Sequence, residues 1–138
     1  MKMSVYSKEL SVPSRKRVEL LSMTSQVGSV VSESKIKTGI CLLFSPHTTT
    51  AIFTNENESN LLADIEEALE KLIPVGGSYR HNRIDSNSDA HLRGILVSNS
   101  LTVPIEGGSL ALGTWQTIFF ADFDGPRHRR VKVTVVGE

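Results

Sequence analysis

The sequence predicts an α+β protein in which a largely antiparallel, sandwich-like β-sheet is flanked by helices, with residues 1–138 forming a single domain. Three observations support this prediction. Strand-like segments follow one another through short turns, few helical segments lie between them, and the last third of the chain is rich in strands. The length of 138 residues also allows one hydrophobic core without disulfide bonds.

The first half of the chain predicts four strands and a short helix. Polar and apolar residues alternate near the start, which is typical of a half-buried strand. Thr24 can cap a helix that continues through Ser34. Short apolar, β-branched segments then predict core strands, and the turn between them places His47 at a strand end. The four predicted strands cover residues 3–11, 16–23, 38–45 and 48–54.

Two further helices are predicted in the middle of the chain. Leucine and isoleucine recur at helical spacing across residues 61–73, opposite an acidic face, and Pro74 ends this helix. Asn87 or Ser88 can cap the next helix, which places His91 in its first turn. The residues expected to face the core from this helix are Leu92, Ile95 and Leu96.

The last third of the chain predicts three strand-rich segments joined by glycine-containing turns. They cover residues 100–105, 108–123 and 129–136. Because side chains alternate along a strand, each segment should present two distinct faces. The residues expected to share one face are Trp115, Thr117, Phe119, Ala121 and Phe123 in the second segment, and Val131, Val133 and Val135 in the third.

Composition and charge exclude several classes of partner. The chain has 15 basic and 15 acidic residues, so no overall field attracts nucleic acid or anionic lipid. No segment approaches the roughly 18 apolar residues of a membrane span, and the N-terminus lacks the apolar core of a signal peptide. The single cysteine, Cys41, lies in an apolar segment where a buried thiol is expected. We therefore expect a soluble, cytoplasmic protein without a nucleic-acid or membrane partner.

Histidine and carboxylate side chains are concentrated in YRHNRIDSNSDAHL, residues 79–92. His81 and His91 of this segment, together with His47, can form a three-imidazole metal site. A nearby carboxylate would orient a metal-bound ring. The candidate carboxylates are Glu56, Asp85 and Asp89. The alternative is that these histidines are solvated or satisfied within the core, since their spacing imposes no geometry; His128, among arginines, is expected at the surface.

Two other segments carry side chains that suit a ligand. Glu56 follows an apolar strand, where it can cap the next helix or point into a cleft. In LGTWQ, Gly113 allows close approach of a ligand, and Trp115 can stack on a flat ring. Thr114 and Gln116 can form hydrogen bonds to the same ligand. The alternative is a core tryptophan in a strand with a glycine bulge.

Three arginines follow a tight turn in DGPRHRR, residues 124–130. Guanidinium groups bind phosphate or diphosphate through paired donors. Strand alternation places Arg127 and Arg129 on one face and Arg130 on the other, so one or two of them can reach a ligand. The alternative, which suits Arg130 at least as well, is a charged strand edge that discourages pairing with another chain.

Taken in order, four segments resemble the YjbQ-like family, also called the secondary thiamine-phosphate synthase family. They are SPHTTTAIFTNEN, YRHNRIDSNSDAHL, LTVPIEGGSLALGTWQ and FDGPRHRR, and the resemblance extends over essentially the whole chain. It implies a YjbQ-like fold, a homotrimer, and a cytoplasmic enzyme with thiamine-phosphate-synthase-like transferase activity. Such an enzyme joins an aminopyrimidine methyl diphosphate to a thiazole phosphate and releases diphosphate.

The resemblance also implies roles for individual residues. His47, His81 and His91 would hold a divalent metal ion; imidazole favours zinc or another transition ion, while Mg²⁺ can arrive with substrate. The expected catalytic residues are Glu56, Asp85 and Asp89. The residues expected to bind a small phosphorylated substrate are Thr48, Gly113, Thr114, Trp115, Gln116, Arg127 and Arg129. Two other functions fit the same residues: a metal-dependent phosphohydrolase, and a non-catalytic trimeric module that binds a metal ion or an anion.

Overall fold

The computed structural model describes residues 2–138 and contains two antiparallel sheets and three α-helices in that part of the chain. The strands are β1 (Ser4–Pro13), β2 (Glu19–Ser22), β3 (Gly39–Phe44), β4 (Thr50–Asn55), β5 (Ser100–Glu106), β6 (Ser109–Leu110), β7 (Thr117–Asp122) and β8 (His128–Gly137). The helices are α1 (Thr24–Ser34), α2 (Ser59–Leu72) and α3 (Ser88–Val97), with a short 3-10 turn at Arg80–Arg83.

The strands form a five-stranded sheet in the order β1-β8-β3-β5-β6 and a three-stranded sheet in the order β2-β7-β4. Every strand pair is antiparallel. The predicted α+β class with an antiparallel, sandwich-like sheet and flanking helices is therefore confirmed. No helix within residues 2–138 combines the length and the hydrophobicity that a membrane crossing requires.

The main core lies between the two sheets. Val131, Val133 and Val135 of β8 are fully buried and belong to one apolar cluster with Ile118 and Phe120 of β7. Ala121, on the other face of β7, and Phe123, just after the strand, belong to a second cluster under α2 and α3. Because β7 is covered on both faces, its sequence is a continuous apolar run rather than an alternating one.

Helix α1 closes one side of the sandwich through Val27, Val30 and Val31, which are all buried. The predicted cap is wrong. The hydroxyl of Thr24 does not cap the helix but accepts a hydrogen bond at 2.9 Å from the backbone N–H of Ile118. Thr24 therefore ties α1 to the start of β7.

Helix α3 lies directly on β4, and its buried face differs from the predicted one. A Cβ atom on Gly94 would lie 2.9 Å from the backbone oxygen of Thr50, so only glycine allows this close approach. The residues expected in the core, Leu92, Ile95 and Leu96, are instead exposed. The helix buries small and paired polar residues, namely Ser88, Asp89, Ala90, Arg93 and Gly94. Apolar spacing predicted the helix, but the side chains that fit under it are short or ion-paired.

Candidate functional site

A cavity of about 520 Å³ lies between the loop that joins β3 to β4 and the exposed side of α3. The loop contributes His47 and Thr48, and α3 contributes His91 and Ile95. The other lining residues are Phe44, Ser45, Pro46, Thr50, Gly94, Ser98 and Asn99. Two of the three predicted metal ligands therefore line one cavity from different elements.

Hydrogen bonds hold the β3–β4 loop in shape. The hydroxyls of Ser45 and Thr50, both buried, lie 2.6 Å apart at the two ends of the loop. The Thr50 hydroxyl also contacts the backbone oxygen of His47 at 3.2 Å. A loop fixed at both ends keeps the imidazole of His47 in one place, as a binding site on a loop requires.

The imidazole of His47 is held in one protonation form. Its Nε2 accepts a hydrogen bond at 2.9 Å from the backbone N–H of Arg130. Because that atom uses its lone pair as an acceptor, the proton of the neutral ring lies on Nδ1. Burial lowers the pKa of His47, and the positive charge of Arg129 lowers it further. His47 therefore offers a neutral N–H donor in a positively charged surrounding.

His81 is oriented by a residue that the sequence analysis treated only as a helix cap. The side-chain nitrogen of Asn87 donates to a carboxylate oxygen of Asp124 at 2.9 Å. The amide oxygen of Asn87 therefore faces Nε2 of His81, at 3.1 Å. Since an amide oxygen only accepts, Nε2 of His81 must carry a proton, and Nδ1 is the basic atom of the neutral ring. Asn87 precedes α3 without capping it through its side chain.

His81 and His91 lie against each other. Their ring centroids are 4.9 Å apart, with the rings nearly perpendicular. Because His91 also lines the cavity with His47, the structure brings all three predicted histidines to the same side of α3. Edge-to-face packing of this kind restrains both rings.

A three-histidine metal site does not fit this arrangement within one chain. The lone pair of His47 Nε2 already accepts the Arg130 N–H, and Nδ1 carries the proton, so the ring has no lone pair for a metal ion. Residues 2–138 contain no group of three or more histidine, cysteine, aspartate or glutamate side chains placed to hold a metal ion. The donor set suits hydrogen bonding to a ligand better than metal coordination.

The two predicted substrate-binding arginines have different surroundings. Arg129 is buried, and its guanidinium donates to both carboxylate oxygens of Asp122, at 2.9 and 3.0 Å, and to the Thr49 hydroxyl at 2.9 Å. Arg127 is exposed and donates to the backbone oxygen of Asp124 at 3.0 Å. Arg129 therefore acts on the cavity through its charge at His47, and Arg127 lies at the surface.

Asp122, which pairs with the buried Arg129 guanidinium, was not among the site residues predicted from the sequence. Burial alone would raise the pKa of Asp122, but hydrogen bonds from Arg129 and from the Ser14 hydroxyl outweigh this effect and hold it below its ordinary value. The signal was present in the sequence. A single aspartate interrupts the apolar run IFFADF, and a buried carboxylate needs a partner.

The predicted catalytic aspartates are also unlike each other. Asp89 is fully buried and accepts two hydrogen bonds from Arg17, at 3.0 and 3.1 Å. Arg93, in the next turn of α3, lies 4.0 Å from the same carboxylate. Asp85 is exposed, and its carboxylate accepts from the backbone N–H of Ser86 at 2.9 Å. Neither aspartate lines the cavity.

Glu56 and the LGTWQ segment lie at the other end of β4 from the histidines. Thr50, at the start of β4, pairs with Asp122, whereas Asn55, at its end, pairs with Thr117. Five residue steps of a strand separate these ends by about 17 Å. Trp115 is 73% exposed, so its interpretation as a core tryptophan is wrong. Within one chain, Glu56 and the LGTWQ segment are therefore separate from the three predicted histidines.

Comparison with known proteins identifies relatives across the whole length of the chain. The family model described as UPF0047 protein YjbQ-like matches residues 8–138. A UPF0047 protein of Methanothermobacter thermautotrophicus is 54% identical over 136 residues, which cover 99% of this chain and 95% of that protein. The UPF0047 protein YugU of Bacillus subtilis is 35% identical, with 94% of this chain and 98% of that protein covered.

Solved structures of similar proteins have the same fold. A YbjQ-like protein of unknown function from Sulfolobus solfataricus superposes with a TM-score of 0.97 at 39% identity, covering 99% of this chain and all (100%) of that chain. A YjbQ/UPF0047 family protein from Clostridium acetobutylicum gives a TM-score of 0.89 at 38% identity, covering 93% of this chain and 98% of that one.

These relatives correct the predicted activity. The resemblance led us to expect a thiamine-phosphate-synthase-like transferase, but the matching proteins are described only as UPF0047 proteins or as proteins of unknown function. None of these descriptions contains a transferase or a thiamine activity, so that prediction is wrong. The predicted family itself is confirmed, because its model covers nearly the full length and the relatives are this similar. The chain belongs to the UPF0047 family of YjbQ-like proteins.

Proposed function

We propose that the cavity binds a small molecule that carries a phosphate group. We also propose that His81, which does not line the cavity itself but packs against the cavity-lining His91, accepts a proton from a part of the bound molecule that extends past His91. The observation that carries this proposal is the fixed form of His47, whose Nε2 is occupied by the Arg130 N–H. A ring held in this form carries its proton on Nδ1, so this cavity-lining residue can donate an N–H and cannot act as a base. The two histidines therefore have different proposed roles: His47 donates a hydrogen bond to the ligand, and His81 accepts a proton from it.

The surroundings of His47 favour an anion. Burial is the largest cause of the lowered pKa of His47; the positive charges of Arg129 and Arg130 lower it further, and the Asp122 carboxylate acts in the opposite direction. The exposed hydroxyl of Thr48 lines the same cavity and can donate a second hydrogen bond. Phosphate oxygens accept several such bonds at once, and donors near positive charge bind them more strongly. The cavity volume of about 520 Å³ is typical of small-molecule sites.

The Asp124–Asn87–His81 chain supports the role of His81 as proton acceptor. Asp124 fixes the direction of the Asn87 amide, and the amide oxygen holds the Nε2–H of His81. The remaining nitrogen, Nδ1, keeps its lone pair for a proton from a ligand. This arrangement resembles the way a carboxylate orients a catalytic histidine, with an amide placed between the two groups.

Replacing His47 with alanine is expected to weaken phosphate binding about tenfold to a hundredfold, because a hydrogen bond to a charged group is lost. Calorimetric titration with inorganic phosphate and with phenyl phosphate measures the affinity. The matched control is His128→Ala, which removes an exposed histidine that does not line the cavity. Equal affinities of the two variants would contradict the proposal. Titrations with added MgCl₂ or ZnCl₂ test whether a divalent ion contributes.

Replacing Asn87 with alanine is expected to release the imidazole of His81 from its single neutral form. Without the amide oxygen that holds Nε2–H, the proton redistributes between the two ring nitrogens. The ¹⁵N chemical shifts of the imidazole measure this distribution directly. Asn57→Ala, on the exposed loop before α2, is the control and should leave the shifts of His81 unchanged. An unchanged distribution in Asn87→Ala would show that Asn87 does not orient the ring.

A further inference from the structure

We infer that a second copy of this chain completes the cavity by placing its Trp115 against an apolar rim formed by Phe44, Ile95 and Leu96. The inference names the partner of the site described above, and it rests on the proposed function only for what the completed cavity binds. Two surfaces of one chain support this inference. One is the apolar rim, which no residue of the described chain covers, and the other is the exposed side chain of Trp115, which lies far from that rim.

Exposed apolar side chains form the rim of the cavity. Ile95 is 79% exposed and Leu96 57% exposed, on the outward face of α3. Phe44, at the end of β3, is 41% exposed and lines the same cavity as Ile95. Soluble proteins seldom expose adjacent large apolar residues in this way, except where another molecule covers them. The adjacent residues on β3, Ile40 and Leu42, extend this apolar surface across the outer face of the five-stranded sheet.

Trp115 lies in a turn that hydrogen bonds hold in place. The side chain of Gln116 accepts from the backbone N–H of Gly113 at 2.8 Å and donates to the Thr54 hydroxyl on β4 at 3.2 Å. These bonds fix the turn from which the indole projects. A large aromatic side chain on a fixed turn has only two side-chain torsions to order on contact, and tryptophan is frequent among the residues that dominate interfaces.

The two surfaces cannot meet within one chain, because they lie at opposite ends of β4, about 17 Å apart along the strand. Charge complementarity supports a contact between copies. Glu56 lies at the Trp115 end and forms no ion pair within residues 2–138. The Arg130 guanidinium at the cavity end is 60% exposed. A contact that seats Trp115 on the rim therefore brings the Glu56 carboxylate toward Arg130, whose exposed ion pair with Glu9 is a weak one that a second carboxylate can join.

A contact between two different surfaces of the same chain is head-to-tail. Such a contact leaves one free surface on each copy until the assembly closes into a ring. A closed ring repeats the contact at every copy and so contains equivalent cavities. Each cavity would then be lined by His47 and His91 of one protomer and by Trp115 of its neighbour.

Cross-linking between two single-cysteine additions tests this contact. Thr114→Cys lies next to Trp115, and Asn99→Cys lies at the cavity, so both leave Trp115 and the rim in place. The native Cys41 is buried and does not compete for the reagent. Co-expressed variants treated with a short bismaleimide should give a product with the mass of two chains. Thr114→Cys with Glu67→Cys, on the exposed face of α2, is the matched control and should give none.

The second measurement is the particle mass by light scattering. Wild-type protein should contain more than one chain, and Trp115→Ala should be smaller, whereas Leu72→Ala, which removes an equally exposed apolar side chain, should match wild type. A single-chain wild-type particle, an unchanged Trp115→Ala particle, or equal cross-linking of the control pair would each overturn the inference. None of these readouts uses phosphate, so a failure of the proposed ligand is seen separately from a failure of the contact.

Discussion

Replacing Asp122 with alanine is expected to lower the free energy of unfolding by about 3–5 kcal/mol, because it leaves a buried guanidinium without its partner. Both oxygens of Asp122 accept from Arg129, and one of them also accepts from Ser14 at 2.7 Å. The Thr49 hydroxyl contacts the same guanidinium and cannot neutralise its charge. Urea denaturation at pH 7 measures the loss.

The control for Asp122→Ala is Glu9→Ala. Glu9 pairs with Arg130 at 3.4 Å between two largely exposed side chains, and its removal should cost less than about 1 kcal/mol. The double variant Asp122→Ala with Arg129→Met should recover much of the stability, since the buried charge is removed together with its partner. A loss in Asp122→Ala no larger than that in Glu9→Ala would show that the pair does not stabilise the fold.

The Asp122 pair also predicts a direction of pH dependence. The folded protein holds the pKa of Asp122 below its ordinary value, so the unfolded chain binds a proton at higher pH than the folded chain does. The stability from this pair is therefore complete above the unfolded pKa of about 3.9 and is lost as the pH falls through the lower folded pKa. In Asp122→Ala this part of the acid dependence should be absent.

Local patterns predicted the elements whose apolar residues follow one regular spacing. Helix α2 follows its leucine spacing and ends before Pro74, and the alternating valines of β8 face the core. Those patterns arise because each element meets a single apolar surface. The cap of α2 is Glu58, whose carboxylate accepts from the backbone N–H groups of Asn60 and Leu61, and not Glu56, for which capping was one of the two predicted roles.

Predictions from the sequence were wrong where long-range contacts decide the role of a residue. The outward face of α3 carries leucine and isoleucine, so hydrophobicity alone assigned that face to the core. Trp115 was expected in a strand but lies in a turn. Asn87 was read as a cap because its bonds to His81 and Asp124 span 6 and 37 residues. Separations of this length depend on the tertiary fold, and no local pattern encodes them.

Replacing Asp89 with asparagine is expected to lower the free energy of unfolding by about 3 kcal/mol, because it removes the charge that two arginines share. Asp89 is fully buried; Arg17 donates to both of its oxygens, and Arg93 lies beside it with only 2% of its surface exposed. The Arg93 guanidinium also donates to Glu70 at 2.6 Å, which anchors α2 to α3. Loss of Asp89 should therefore loosen the packing of α3 on its neighbours.

This variant separates a structural from a catalytic role for Asp89, which the family resemblance implied as a catalytic residue. The control is Asp85→Asn. Asp85 is exposed and was also predicted to be catalytic, and its replacement should change the free energy of unfolding by less than about 0.5 kcal/mol. Both variants are also titrated with inorganic phosphate under conditions where each is folded. Because neither carboxylate lines the cavity, the affinity of both should stay close to that of wild type. A fully stable Asp89→Asn that no longer binds phosphate would instead assign Asp89 to the ligand site.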